Sequence, residues 1–346
     1  MNIVIAILIF SLIVLFHELG HFALAKKNGI RVNEFCLGLG PTLIGFTKGE
    51  TKYSIKLLPF GGACMMEGED GDGETSEPNS FQSKSVWARI SVVAAGPIFN
   101  FILAFVLALI FVSIIGYDKP VVGQVKEGFP AQEAGIQAGD TILSMNGHKM
   151  RFFRDVSLFP LYYPGEEIHI VFERNGEKMN ARIMPRYDEE SGRSLMGLIG
   201  GGEQVKASNP LILAKYSAYE VGYWIHMAMQ SLRMLVTGHA GVQDLAGPVG
   251  LVKVIGDTYN ESKSNGLLMV FVSMLNISIL LSANLGVMNL LPIPALDGGR
   301  LVFLVLEAIR GKRIDPDKEG RVHFAGFMLL MGLMVFVMFH DIQRLF

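Results

Sequence analysis

The sequence predicts a polytopic α-helical membrane protein with four transmembrane helices, a membrane-associated β-hairpin and one extracytoplasmic, mostly β domain. Three observations predict it. Half of the 346 residues are hydrophobic and only 18% are charged, and mean hydropathy is positive, a membrane composition with room for one modest soluble domain. Apolar runs at residues 3–25, 90–115, 267–291 and 323–339 are each long enough to cross a bilayer as a helix. Between these runs lie stretches with the alternation of strands. The same features exclude other classes. A net charge of −2 leaves no footprint for nucleic acid, and Cys36 and Cys64 alone make no disulfide framework.

The first predicted span, residues 1–26, contains Phe16-His17-Glu18-Leu19-Gly20-His21, an instance of H-E-x-x-H. On a helix His17 and His21 stand at i and i+4, so both imidazoles leave one face and can grip one Zn²⁺. Glu18 lies beside that metal, where a carboxylate can take a proton from water. With eight His in the chain, chance supplies such a match on the order of once in a hundred proteins. Ionisable residues inside an apolar span are costly and mark function by default. The run lacks a basic leader and holds this motif, so it reads as a retained span and not a cleaved signal. Lys26-Lys27 is a basic flank that predicts a cytoplasmic exit.

Residues 27–88 are therefore placed on the cytoplasmic side. Gly38-Leu39-Gly40-Pro41 is incompatible with helix. Weak alternation over Tyr53-Ser54-Ile55-Lys56-Leu57 leads into Leu58-Pro59-Phe60-Gly61-Gly62-Ala63-Cys64-Met65-Met66. This reads as a β-hairpin dipping into the membrane beside the site, where irregular backbone is tolerated only under cover of protein or a cavity. An ordinary soluble hairpin is the alternative. The acidic, Gly-rich stretch 67–78 reads as a mobile loop. The second span, residues 89–116, carries Ala95-Gly96-Pro97 and Asn100, which predict close packing and an interhelical hydrogen bond, or only a kink.

Residues 117–187 make the predicted extracytoplasmic domain. In it Ile168, Ile170 and Phe172 alternate, Asn175-Gly176 turns, and Met179, Ala181 and Ile183 alternate back. Residues 188–265 are read as an extracytoplasmic interfacial helix and loop region. The helix covers 211–236, where Lys215, Glu220, His226 and Arg233 interrupt an apolar run, and Gly247-Pro248-Val249-Gly250 then interrupts the chain. Parity supports this reading, since another crossing would carry the next motif to the wrong membrane face.

The third span, residues 266–299, holds Asn276, Asn284 and Asn289 and ends in Pro292-Ile293-Pro294-Ala295-Leu296-Asp297-Gly298-Gly299-Arg300. Two prolines one residue apart break the helix and free backbone groups that need partners. Residues 300–321, with Arg310, Lys312, Arg313 and Lys318, are read as a cytoplasmic loop. Residues 322–346 form the fourth span and leave both termini outside. A catalytic zinc takes three protein ligands and keeps one position open. Asp297 is the candidate third ligand, at the membrane depth of His17 and His21 and next to Gly-Gly that permits close approach. A helix cap or a partner for Arg300 is its alternative role.

The run 130–147 resembles the signature of a PDZ domain. Taken with HELGH, Gly38-Leu39-Gly40-Pro41 and the stretch from Asn289 to Gly299, the whole chain resembles the site-2 protease family. It is most similar to the bacterial regulator-of-sigma, or RseP-like, intramembrane zinc metalloproteases. The resemblance implies that His17, His21 and Asp297 hold Zn²⁺ and that Glu18 is the catalytic acid/base. It implies that Asn284 and Asn289 contact substrate or the developing oxyanion, and that 53–66 is a membrane-reentrant hairpin. It further implies a multi-pass protein of the bacterial cytoplasmic (inner) membrane, in contact with lipid. Its implied substrates are single-span membrane proteins, such as trimmed anti-sigma factors, and signal-peptide remnants. Some relatives carry two PDZ domains in tandem and this chain has one, so gating by a pair does not carry over. An edge strand near Gly61 and Gly62 could hold an unwound substrate by strand addition. The rival classes are a metal transporter and a PDZ scaffold without peptidase activity. Span two and the 323–339 run of span four lack internal carboxylates, which argues against a transport path.

Overall fold

The computed structural model describes residues 2–69, 77–189, 192–202, 204–238, 241 and 247–343. Residues 70–76 of the expected acidic loop lie outside them. The chain divides into two compact units, residues 1–108 with 224–346, and residues 109–223.

In chain order the elements begin with α1 (Asn2–Lys27), β1 (Val32–Lys48), β2 (Thr51–Met66) and α2 (Val86–Ile115). A strand-rich stretch follows: β3 (Tyr117–Asp118), β4 (Val122–Val125), α3 (Pro130–Glu133), β5 (Thr141–Met145), β6 (His148–Lys149) and α4 (Phe153–Tyr162). It continues through β7 (Ile168–Arg174), β8 (Glu177–Ile183), β9 (Arg186–Asp188), β10 (Arg193–Leu195), β11 (Leu198–Gly200) and β12 (Gln204–Val205). Among the described residues the chain then runs through α5 (Pro210–Val236), α6 (Pro248–Lys263), α7 (Leu267–Leu290), α8 (Asp297–Arg310) and α9 (Pro316–Gln343).

Among the described residues, four helices are long and apolar enough to cross a membrane: Ile3–Lys27, Val86–Ile115, Leu267–Leu290 and Lys318–Gln343. They are the four runs read from the sequence, each extended or trimmed by a few residues. α5 is not among them, because its charged residues break the apolar window.

The expected hairpin is more folded than a single pair of strands. Residues 32–37 face 66–62 and residues 42–48 face 56–51, both antiparallel, while 34–37 also run beside 52–55 with their numbers rising together. Each long strand thus doubles back, giving the order 42–48, 51–56, 32–37, 62–66. Gly38 and Gly61 have φ of 90° and 78° at the reversals, a region that only glycine enters without strain. Leu39, Leu43, Ile44, Phe46 and Leu57 of this sheet are all exposed, a large apolar surface for water and an ordinary one for hydrocarbon.

Three further expectations are corrected. The stretch from Gly247 does not interrupt the chain but starts α6, with Pro248 in the first turn where its missing N–H costs nothing. The start of the 300–321 loop is helix, since α8 runs from Asp297 to Arg310. It buries Gly298, Gly299 and Leu304, and its Glu307 pairs with Arg89 of α2 at 2.5 Å. The strand-rich domain does not end at residue 187. β3 pairs with β12 and β4 with β11, so its sheets need residues up to Val205, and short strands after residue 187 carried too little pattern to be read.

The core of this second unit is Val122, Ile142, Met145, Val156, Ile168, Ile170 and Phe172, all but sealed from solvent. Asp140 beneath it is 1% exposed. Burial alone would raise its carboxyl, but Arg174, bonded to it at 2.7 Å, and the Gln137 N–H hold it below the ordinary carboxylate value. The first turns of α5 belong to the same unit. Tyr216 stacks on Tyr117, and Glu220, 2% exposed, pairs with Arg154.

Candidate metal centre

α1 places His17 and His21 one turn apart, with the rings edge to face at 4.8 Å. Both residues are 8% exposed. The third group arrives from the break between α7 and α8. Pro292 and Pro294 end the helix, and Ala295 takes a left-handed φ of 77°. Its N–H donates to His323 Nδ1 at 3.0 Å. A Cβ at Gly298 would lie 2.1 Å from the Leu291 carbonyl oxygen, and one at Gly299 2.4 Å from that of Ile293. The Gly-Gly pair is therefore what lets α8 start tightly enough to turn Asp297 toward α1.

Three atoms converge. His17 Nε2 is 3.2 Å from His21 Nε2. Asp297 Oδ2 is 3.2 Å from His17 Nε2 and 3.4 Å from His21 Nε2. Ligands about 2.05 Å from a tetrahedral zinc stand about 3.3 Å from one another, so the triangle has the size of one face of that tetrahedron. Asp297 Oδ2 is buried and has no hydrogen-bond partner of good geometry among the described residues. A buried anion left so is costly, and a cation at the centre of the triangle removes the cost. Two imidazoles and one carboxylate are a zinc donor set that leaves a fourth position open.

The backs of the two rings rest on α2. His21 Nδ1 lies 2.9 Å from the Val92 carbonyl oxygen. That oxygen can only accept, so Nδ1 carries the proton and Nε2 presents its lone pair to the centre. His17 Nδ1 lies 3.1 Å from the side-chain amide of Asn100. Between them sits Gly96, where a Cβ would come within 2.3 Å of His21 Nε2. α1 and α2 meet as closely at Gly20, where a Cβ would lie 2.4 Å from the Ala95 oxygen. The sequence signal for all of this was Ala95-Gly96-Pro97 and Asn100, legible as close packing but silent about its target.

A cavity of about 480 Å³ opens on the centre. Glu18, Asp297 and both histidines line it, as do Gly62, residues 63–66, Glu69 and Arg300. A Cβ at Gly62 would stand 3.1 Å from Glu18 Cγ, so the β2 backbone passes close to that carboxylate. Residues 62–66 have their ladder partner on the β1 side. Arg300, considered as a partner for Asp297, pairs instead with Glu69. Gly61, Asn284 and Asn289 are not among the lining residues. Asn284 Oδ1 is buried without a partner among the described residues.

The comparisons with known proteins agree with this chemistry. The sequence matches peptidase family M50 over residues 5–333. A Clostridium acetobutylicum protein, named provisionally as a zinc metalloprotease, is 41% identical over 99% of this chain and 97% of its own. Zinc metalloprotease RasP of Bacillus licheniformis is 36% identical, with both chains covered entirely. The regulator of sigma-W protease RasP of Bacillus subtilis is 34% identical over 100% of this chain and 99% of its own. Among solved structures, the PDZ domain of an SdrC-like protein from Listeria monocytogenes aligns with 25% of this chain and 90% of that one, at 20% identity and a TM-score of 0.22. With a family match that spans nearly every residue and full-length relatives well above 30% identity, the chain belongs to peptidase family M50.

Proposed function

We propose that this intramembrane zinc metalloprotease binds its metal through His17, His21 and Asp297 and uses Glu18 as the catalytic acid/base. The observation that carries the assignment is the triangle of Nε2, Nε2 and Oδ2 atoms, 3.2–3.4 Å on each side. Zinc, when bound, polarises the scissile carbonyl and makes water a nucleophile near neutral pH. Glu18 shares the cavity with the three ligands, where it holds the proton taken from water and returns it to the leaving amine.

A substrate helix hides its carbonyls in hydrogen bonds and must unwind before it can be cut. The segment 62–66 lines the cavity and has no strand on its other side among the described residues, so an extended peptide adds to it as a strand, with Gly61 and Gly62 at its start. Asn284 and Asn289 then steady the substrate backbone or the developing oxyanion. The exposed apolar face of β1 and β2 supports their insertion among lipid chains. The substrates are single-span membrane proteins of the anti-sigma type and signal-peptide remnants, a reading supported by the sigma-W regulator among the relatives. The strand-rich unit serves as a single PDZ module outside a bacterial cytoplasmic membrane, with both termini on that side. The basic flank Lys26-Lys27 and the Arg310–Lys318 charges support this placement.

The test is a pair of variants of the purified protein, scored for zinc content and for cleavage of a single-span reporter. Glu18→Gln should keep its zinc and lose cleavage. Asp297→Ala should lose most of its zinc, and full zinc occupancy in that variant would remove Asp297 from the ligand set.

A further inference from the structure

We infer that Asn100 is a positioning residue for the metal ligand His17, fixing its tautomer through the side-chain amide oxygen; the inference rests on the ligand assignment above. An imidazole that gives one nitrogen to a metal carries its proton on the other, and that proton needs an acceptor. For His21 the acceptor is the Val92 carbonyl, 2.9 Å away. For His17 the one side-chain amide in reach among the described residues is Asn100, 3.1 Å from Nδ1 and wholly buried.

An amide nitrogen and oxygen exchange places by a half turn, and their assignment follows from the hydrogen bonds they make. With Nδ2 toward the ring, Asn100 would donate to Nδ1 and drive the ring proton onto Nε2, the atom that faces Asp297. In that setting Asn100 Oδ1 is also left without a partner among the described residues. With Oδ1 toward the ring, the oxygen gains the Nδ1 proton and Nε2 is freed for the metal. The backbone of Asn100 is itself pinned, because Ser282 of α7, fully buried, donates to its carbonyl at 2.7 Å.

Val92, Gly96 and Asn100 are spaced by four and form one stripe of α2. The stripe gives each imidazole its acceptor and, at Gly96, the room to reach it. No other element supplies an acceptor to either Nδ1 atom among the described residues.

The test measures zinc affinity of the full chain in detergent by competition with a chelator, a readout independent of cleavage. Asn100→Leu, which keeps the branched shape and removes the acceptor, should weaken binding about 10–100-fold. Asn100→Asp keeps an acceptor and should bind at least as tightly as the wild type. In a His17→Ala background, Asn100→Leu should cost less than about threefold, because its partner is gone. Wild-type affinity in Asn100→Leu, together with weak binding in His17→Ala, would overturn the inference and leave the ligand assignment standing. Undiminished affinity in His17→Ala would overturn the ligand assignment itself. An equal loss from Asn100→Leu with and without His17 would reduce Asn100 to packing and overturn the inference too. Should Asn100→Leu fail to fold, the Asp variant decides, and a folded Asn100→Asp weakened about tenfold or more refutes the positioning role.

Discussion

A Cβ at Gly96 would lie 2.3 Å from His21 Nε2 and 2.7 Å from His17 Cε1. No real Cβ approaches other atoms so closely, so a methyl group there must push both rings off the triangle. Gly96→Ala should therefore lower zinc affinity at least about tenfold, the scale of losing ligand orientation. Gly332→Ala, with nothing within 4 Å of its Cβ, should leave zinc binding unchanged, and chelator competition on both proteins checks the contrast. At this scale legibility followed locality. His17, Glu18 and His21 could be read because their geometry is that of one helical turn. Asp297 could be read because the prolines before it and Gly-Gly after it announce a special turn. Gly96 could not be assigned a target, because its meaning depends on which helix lies across from it. The Val92 acceptor is a backbone atom and has no letter of its own.

Among the elements, α6 was missed, and its anchor explains why. Asp341 of α9, 5% exposed, accepts the Gly250 N–H at 2.8 Å and that of Gly247 at 3.3 Å. The carboxylate caps the N-terminus of α6 from another helix 91 residues away, where a sequence reading looks for a cap only at the adjacent residue. Asp341→Ala should cost about 1–2 kcal/mol, the worth of an N-cap, and lower the melting temperature. Asp341→Asn, which keeps an acceptor, should cost less. The β1–β2 sheet was legible as strands but not in its order, because the glycines and prolines at 38–41 and 58–62 mark breaks without saying which strands then pair. Its proposed role depends on the 62–66 edge, and proline cannot donate to a ladder. Ala63→Pro or Cys64→Pro should lower reporter cleavage while zinc content stays at the wild-type level. The matching Ala or Ser changes should be mild, since the backbone makes the contact. Full cleavage in both Pro variants would exclude strand addition there.

For the molecule as a whole, span number and position were legible because a bilayer imposes a length on every crossing helix. The end of the strand-rich unit was not, because the strands that complete it, β9 to β12, have only two or three residues each. Sidedness is a matter for labelling. In intact cells an impermeant thiol reagent should reach a cysteine placed at Asn146 and fail to reach one placed at Lys312. The native Cys36 and Cys64 are buried and give a low background. Labelling of both sites would show that α5 crosses the membrane. The alignment with RasP of Bacillus licheniformis spans 428 positions against the 346 residues here. That relative is thus the longer of the two, while the elements that build the candidate metal centre are all present in this shorter chain.

The triangle of His17, His21 and Asp297 atoms joins residues far apart in the sequence. His17 and His21 leave the ribosome early, and Asp297 follows only after more than two hundred further residues have been made. Until α7 and the turn after it have been made, the nascent chain has two imidazoles and no carboxylate to complete the triangle. A centre assembled this way is complete only once the third long apolar helix and the turn after it have been made, so the first helix waits on a late one.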